Sequence, residues 1–406
     1  MTHKIAVIIG ASHAAAQLST SLRQEGWEGD ILVIGDEPYL PYHRPPLSKT
    51  FLSGDKTIEE LFIRPAAFYQ KNNIQFKQGR VTAINRAQQT LTLSDGTNLA
   101  YDKLALCMGA RVRKAAIVGE ELTGVCYLRN IADVKSIQPY VAQGKRAVII
   151  GGGYIGLETA AALKKQGMDV VVLEMADRIL QRVTAPELSE FYTRIHHEEG
   201  VQIHTGISVA EICGNGQVQK VVCANGAEFV ADVVIIGVGV VPNVELAQQA
   251  GIDVNNGIIV DEFCRTNDSH IVAAGDCANH FNTIYKRRMR LESVPNAGEQ
   301  GKTAAATICG LNKEYKSLPW FWSDQYDLKL QIAGLSQGYD AVVIRGDKNN
   351  SRSFAAFYFK EERLIAADCI NRPQEFMLSK KIILENIAVE PSRLADESIL
   401  VKELLA

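Results

Sequence analysis

Three observations predict an α/β protein with two Rossmann-like dinucleotide-binding domains and a C-terminal α+β domain of antiparallel strands. An apolar run at 147–150 leads straight into Gly151-Gly-Gly-Tyr-Ile-Gly-Leu-Glu158 and then into a helical pattern. A weaker copy opens the chain, where the run at 4–9 is followed by Gly10-Ala-Ser-His-Ala-Ala-Ala16. From Trp320 onward the texture changes to short strands joined by tight turns. Strand, glycine turn and helix in that order are what a nucleotide-binding βαβ unit needs, and closely spaced short strands need antiparallel pairing.

Composition narrows the class. At 406 residues the chain is too long for one ordinary core, so two or three domains are expected. Apolar residues make up 47% and charged residues 22%, as in a globular protein with substantial cores. A net charge of −3 and a pI near 6.3 argue against a chain built to hold nucleic acid. The apolar run at 5–9 is too short for a signal segment or a membrane span, so no membrane association is expected and the reading is cytoplasmic. Eight scattered cysteines form no C-x-x-C and no ligand spacing, so no metal site is expected and they read as buried small hydrophobes.

In chain order, the first unit reads as strand, phosphate turn and helix, the helix ending at Gly26. Only Gly10 keeps the G-x-G-x-x-G pattern, with the small residues Ser12 and Ala15 at the later glycine places. The strand at 31–34 runs into Gly35-Asp36-Glu37, which sets an acid near the expected ribose position. Residues 38–49, Pro-Tyr-Leu-Pro-Tyr-His-Arg-Pro-Pro-Leu-Ser-Lys, are too rich in proline for a helix or a central strand. A loop of such specific composition reads as lining a site, with Leu47, Phe51 and Leu52 arguing for burial around Lys49. Strand patterns follow at 75–77, 90–93 and 103–107, and 119–144 reads as a connection.

The second fingerprint is strict. Its first glycine, Gly151, allows the tight turn, Gly153 lets the backbone approach a pyrophosphate, and Gly156 packs helix on strand. The run at 170–173 then ends in Glu174, about 20 residues on, where a ribose-binding acid belongs. A helix is predicted at 187–198 and strands at 201–205, 218–223 and 230–238. A strand ending in Gly275-Asp276 follows, then a helix at 296–309. The last unit shows strands at 329–333, 341–345, 354–359 and 364–370 and a helix at 373–386.

Two fingerprints separated by a long loop, with Gly275-Asp276 far downstream, resemble the two-dinucleotide flavoproteins of the glutathione-reductase fold. Arg44-Pro-Pro-Leu-Ser-Lys49, Gly151 to Glu158, Arg182-Val-Thr-Ala-Pro186, Ala274-Gly-Asp276, Glu292-Ser-Val-Pro-Asn296 and Pro319-Trp-Phe-Trp-Ser-Asp-Gln-Tyr326 narrow this to a resemblance with the ferredoxin reductases of bacterial oxygenase systems. The resemblance covers essentially the whole chain. It implies an FAD domain over 1–110 and 243–318, an NAD domain over 111–242 and a C-terminal domain over 319–406. It further implies that Gly10 and Ala14 face the FAD pyrophosphate, Asp36 its ribose, Val81 and Arg129 the adenine end, Asp276 the ribityl chain, and Lys49, Val294 and Trp320 the flavin. For NAD it implies Gly151, Gly153, Ile155, Gly156 and Glu174. Two departures affect local contacts: the missing later glycines of the first fingerprint, and Cys107-Met108-Gly109 where many relatives have Ala-Thr-Gly.

The loop 38–49 contains no cysteine, which disfavours reductases and oxidases that place a thiolate beside the flavin. The remaining route is hydride from NADH to FAD, followed by single electrons to a [2Fe-2S] ferredoxin that feeds a cytochrome P450 or a Rieske dioxygenase. The resemblance also places Lys49 and Glu158 together, and a buried pair of that kind is expected to form an ion pair. Glu174 favours NADH over NADPH, with Arg178 and Arg182 close by in sequence. Basic runs at 286–290 and 380–381 are two candidate docking sites for an acidic ferredoxin, and each reads equally as a solvated basic turn. A rubredoxin or quinone reductase, and a non-catalytic flavoprotein like apoptosis-inducing factor, stay open as alternatives.

Overall fold

The computed structural model describes residues 4–405, so the outermost ends of the expected domain bounds, 1–3 and 406, lie outside the described residues. The chain forms two compact units, and each crosses back over the sequence. The first takes residues up to His43, Glu59–Arg111 and Val240–Pro319, and the second takes Arg44–Ile58, Val112–Gly239 and everything from Trp320.

In the first unit a parallel sheet runs in the order Ile271–Ala273, Lys103–Leu106, Ile5–Ile9, Asp30–Gly35, Ile74–Gln78. Its central strands are continuous apolar runs because both faces are covered, as parallel sheets require. On one face Ala14, Ala15, Leu18 and Leu22 of the helix His13–Gln24 share a core with Ala297, Ala304, Ala305 and Ile308 of the helix Val294–Ile308. Gly301 permits that closeness, since a Cβ there would stand 2.9 Å from the carbonyl oxygen of Ala14. The other face packs against an antiparallel sheet of Val81–Asn85, Thr90–Leu93 and Asn98–Ala100. The first and last of these strands carry too many exposed residues to be visible as apolar runs.

The second unit repeats the plan. Its parallel sheet is ordered Gln202–His204, Asp169–Leu173, Arg146–Ile150, Val233–Ile236, Val125–Tyr127. Two expectations are corrected here. The region 119–144 is more than a connection: it contributes the edge strand Val125–Tyr127 and the helix Ile131–Ile137, which Asn130 and Asp133 start with a reciprocal capping box. The single strand expected at 230–238 is two. Val230 ends the antiparallel sheet of Val209–Asn215, Gln217–Cys223 and Glu228–Val230, and the parallel sheet resumes at Val233. Asp232 makes the break, because its carboxylate accepts the Arg146 backbone N–H at 2.9 Å.

From Trp320 the second unit adds an antiparallel sheet ordered Trp320–Gln325, Leu328–Gly334, Arg363–Ile370, Phe354–Lys360, Ala341–Gly346. The helix Pro373–Glu385 follows and ends at Asn386, whose φ of 51° is the left-handed conformation that stops a helix.

Candidate functional site

In each parallel sheet the glycine turn lies at the carboxyl end of the central strand, where chain connections leave in opposite directions. That switch point is where open α/β sheets take ligands. In the second unit the Gly151 N–H donates to Leu173 O at 2.8 Å and the Gly237 N–H to Ile150 O at 2.8 Å, which ties three strand ends together. Gly151 has a φ of +117°, and a Cβ on it would stand 2.4 Å from Gly237 O. A Cβ on Gly156 would stand 2.1 Å from Gly151 O, so only glycine lets the helix Tyr154–Lys165 close onto its strand. A Cβ on Gly153 would meet nothing within 4 Å. Its bare backbone therefore faces open space at the start of a helix with no side-chain cap, and the unpaired N–H groups of a first turn attract a phosphate. Glu174 is held beside the turn, accepting the Gly152 N–H at 2.6 Å and the Ala176 N–H at 2.8 Å. Ile155, in the same first turn, is 46% exposed. These residues fit a dinucleotide.

The first turn has a similar construction with fewer glycines. Gly10 has a φ of +103°, and a Cβ on it would stand 2.1 Å from Cys107 O. Ser12 occupies the N-cap position that Gly153 holds in the other unit, and its side chain makes no capping bond. Ala15 stands at the third glycine place and is fully buried. Ala14 meets the Gly275-Asp276 turn: a Cβ on Gly275, whose φ is +85°, would come within 3.1 Å of the Ala14 methyl. Sequence reading missed Gln300, whose Oε1 accepts the Gly275 N–H at 2.8 Å and so holds that turn. Arg290 also supports it, donating to Asp276 O at 3.1 Å.

The two acids at the ribose position are not equivalent. Ile9 pairs with Ile34 as Ile150 pairs with Leu173, so Gly35, not Asp36, stands where Glu174 stands. Asp36 follows one residue later and is exposed, while the carboxylate of Glu37 accepts the Tyr42 hydroxyl at 2.5 Å. Val81 is buried at the head of a separate antiparallel sheet, and Val294 opens the helix Val294–Ile308. The other predicted FAD residues lie in the second unit. Arg129 donates its N–H to Asp133 at 2.8 Å, and its carbonyl accepts from Arg44 at 2.8 Å. Trp320 lies 5.6 Å from Trp322 and 5.8 Å from Phe376, centroid to centroid, with Lys380 Nζ 5.4 Å from its ring.

Lys49 and Glu158 do meet. Lys49 Nζ is 2.5 Å from Glu158 Oε2, with the lysine 17% and the glutamate 2% exposed. The short 3-10 turn Pro45–Ser48, preset by its two prolines, delivers the lysine. Ser48 donates to Glu158 Oε2 at 2.6 Å and Ser323 to Oε1 at 2.7 Å, so three donors hold the carboxylate. Both serines lie inside motifs legible in the sequence. Their convergence on Glu158 is not, since nothing local signals it.

All eight cysteines are free. Burial pushes the Cys107, Cys264 and Cys369 thiols well up and Cys277 to about 11, which suits packing rather than thiolate chemistry. Among the described residues no group of His, Cys, Asp or Glu is placed to hold a metal ion.

Residues 4–301 match the pyridine nucleotide-disulphide oxidoreductase family and residues 320–405 the reductase C-terminal domain. The chain is 44% identical to putidaredoxin reductase of Pseudomonas putida, over 98% of this chain and 96% of that protein. It is 40% identical to a ferredoxin–NAD(P)(+) reductase of a Sphingomonas species, over 96% and 95%. Among solved structures, a covalent putidaredoxin reductase–putidaredoxin complex matches with a TM-score of 0.96 at 43% identity, over 99% of this chain and 98% of that one. With a glycine turn at the head of each parallel sheet and family matches over residues 4–301 and 320–405, this protein belongs to the pyridine nucleotide-disulphide oxidoreductase family and carries the reductase C-terminal domain.

Proposed function

We propose that the chain is an NADH-dependent FAD flavoprotein that passes electrons one at a time to a [2Fe-2S] ferredoxin serving an oxygenase. The observation that carries this reading is a pair of nucleotide cradles in a chain whose cysteines are all free, with none in the loop 38–49. Bound FAD supplies the step between two-electron and one-electron chemistry, taking up hydride from nicotinamide and releasing electrons singly. The similarity to proteins named as ferredoxin reductases supports the acceptor.

The protein's own residues position and exclude. Gly10, Ala14, Asp36, Val81, Arg129, Asp276, Val294 and Trp320 are assigned to FAD, within a domain division of 1–110 with 243–318, 111–242, and 319–406. Gly151, Gly153, Ile155, Gly156 and Glu174 are assigned to NADH. Lys49 meets the flavin, and Glu158 fixes the direction of its ammonium group. Hydride transfer needs no general acid or base, so the pair contributes orientation and a fixed field. Glu174 accepts from a ribose 2′-hydroxyl and repels a 2′-phosphate. Arg178 does not offset that repulsion, since its guanidinium is turned to Ser189 at 2.6 Å and Gln181 O at 3.2 Å.

An acidic ferredoxin would meet positive charge near exposed apolar groups. In the run 286–290, Arg288 and Arg290 donate to the carbonyls of Val260, Asn279 and Asp276, which leaves Lys286 and Arg287 as its exposed charges. The helix Pro373–Glu385 is the better candidate, because Lys381 is exposed beside Met377 and Leu384 and Lys380 lies over the Trp320 ring. No helix among the described residues is long and apolar enough to cross a membrane, and with eight free thiols the proposed compartment is the cytoplasm.

Steady-state turnover with NADH and either a purified [2Fe-2S] ferredoxin or a rubredoxin tests the assignment. Faster reduction of the ferredoxin, weakening as salt is raised, is expected. Preference for rubredoxin would overturn the acceptor, and turnover indifferent to salt would overturn electrostatic docking.

A further inference from the structure

Behind the Lys49–Glu158 pair a chain of hydrogen bonds runs on through the second unit. Ser323 Oγ lies 2.7 Å from Glu158 Oε1, and Gln325 Nε2 lies 3.2 Å from Ser323 Oγ. His196 Nε2 is 2.9 Å from Gln325 Oε1, and the Tyr326 hydroxyl is 3.0 Å from His196 Nδ1. Three elements contribute: Glu158 from the helix Tyr154–Lys165, His196 from the helix Pro186–Glu198, and Ser323 with Gln325 from the strand Trp320–Gln325. Glu158, His196, Ser323 and Gln325 are all buried.

A carboxylate can only accept, and that one fact fixes every hydrogen. Ser323 gives its hydrogen to Glu158, so its oxygen must take one from the Gln325 amide. The amide oxygen therefore faces His196, whose ring carries its hydrogen on Nε2. The bare Nδ1 then takes the hydrogen of Tyr326. Every donor points toward Glu158. Burial lowers the His196 pKa to about 4, so the ring is neutral and the pattern stable at neutral pH. Proton conduction is excluded because Gln325 would have to pass through its imidic acid form. What the chain transmits is polarity and orientation.

We infer that His196 is a positioning residue for the hydride step: through Gln325 and Ser323 it locks one oxygen of Glu158, so that the other is presented to Lys49. The inference rests on the proposed reading of Lys49 as the residue that meets the flavin. A histidine that merely filled space would be better replaced by an apolar side chain, since a buried imidazole needs partners for both nitrogens. Without the donation from Ser323, Oε1 of Glu158 loses its hydrogen bond, and only Ser48, on Oε2, still resists rotation of the carboxylate that Lys49 meets.

The test uses FAD-loaded protein and four variants: His196→Leu, His196→Gln, Lys49→Met, and His196→Leu with Lys49→Met. Flavin reduction at saturating NADH is followed by stopped-flow absorbance. His196→Leu is expected to slow it about tenfold, His196→Gln, which keeps a donor toward Gln325, by no more than about twofold, and the double variant no further than Lys49→Met alone. Independently, NMR of 15N-histidine-labelled wild type should show His196 as the neutral Nε2–H tautomer at neutral pH. Equal slowing by His196→Leu with and without Lys49 would make its role structural and overturn the inference. So would a ring protonated on Nδ1, or an unchanged rate in His196→Leu. Lys49→Met without effect would sink the flavin reading and the inference with it, whereas a slow Lys49→Met beside a normal His196→Leu would sink the inference alone.

Discussion

Gly153→Ala and Gly156→Ala should separate nucleotide binding from folding. At Gly153 an added Cβ meets no protein atom within 4 Å, and the backbone, at φ −82° and ψ 178°, is open to any residue. Its effect on stability should stay within about 1 kcal/mol, because a gain of roughly 0.4–1 kcal/mol from a stiffer unfolded chain offsets a poorer helix cap. The new methyl would nevertheless stand in the open space assigned to the pyrophosphate. The Kd for NADH should rise at least about tenfold, or about 1.4 kcal/mol. At Gly156 the added Cβ would stand 2.1 Å from a backbone oxygen, a clash no rotation relieves. That variant should lose about 1–3 kcal/mol of stability as well as NADH affinity. Both should retain FAD. The assays are thermal unfolding by circular dichroism, flavin content by absorbance, and anaerobic NADH titration. Unchanged NADH affinity in Gly153→Ala, or equal destabilisation in both variants, would refute the cradle.

Three further outcomes follow from the same geometry. Lys49→Ala should slow NADH reduction of the flavin and alter its absorption spectrum; an unchanged spectrum and rate would remove Lys49 from the site. Wild type should use NADH far more efficiently than NADPH in steady-state kinetics, and Glu174→Ala should lose most of that preference; equal efficiencies in wild type would contradict the role of Glu174. Asp368 is fully buried and accepts from Tyr358 at 2.6 Å and Thr184 at 2.7 Å, and burial raises its carboxyl to about 6. A raised folded pKa favours the protonated fold, so this contribution is complete at low pH and is lost as pH climbs through about 6. Relative to Asp368→Asn, wild type should therefore lose on the order of 3 kcal/mol between about pH 4 and pH 7 in parallel urea titrations, and no change in the difference would refute it.

The parts of the fold that sequence reveals are those with one dominant cause. A strand buried on both faces must be an apolar run, which made Ile5–Ile9 and Arg146–Ile150 visible. A glycine whose Cβ would strike a carbonyl oxygen must be glycine, which made 151 and 156 visible. Where two causes compete the reading fails. The apolar run at 230–238 hides a turn made by Asp232 alone, and Val125–Tyr127 is too short for any period to show. The site divides in the same way. Gly151, Gly153, Gly156 and Glu174 are local, and their spacing is enough to bring them together as a candidate site. Lys49 and Glu158 lie far apart in sequence, and resemblance rather than spacing joined them. Ser323 and Gln325 lie in a legible motif, but their link to His196 and Glu158 left no signal, because those hydrogen bonds come from three elements meeting only in the folded chain.

In the proposed reaction electrons pass from NADH to flavin and onward with no thiol in between. Anaerobic titration of the purified flavoprotein with NADH, followed by oxidised ferredoxin, tests it most directly. Full bleaching of the flavin by one equivalent of NADH, unchanged free-thiol content, and two ferredoxins reduced per NADH consumed are expected. A second equivalent needed for full reduction, with new thiols appearing as it is consumed, would contradict it.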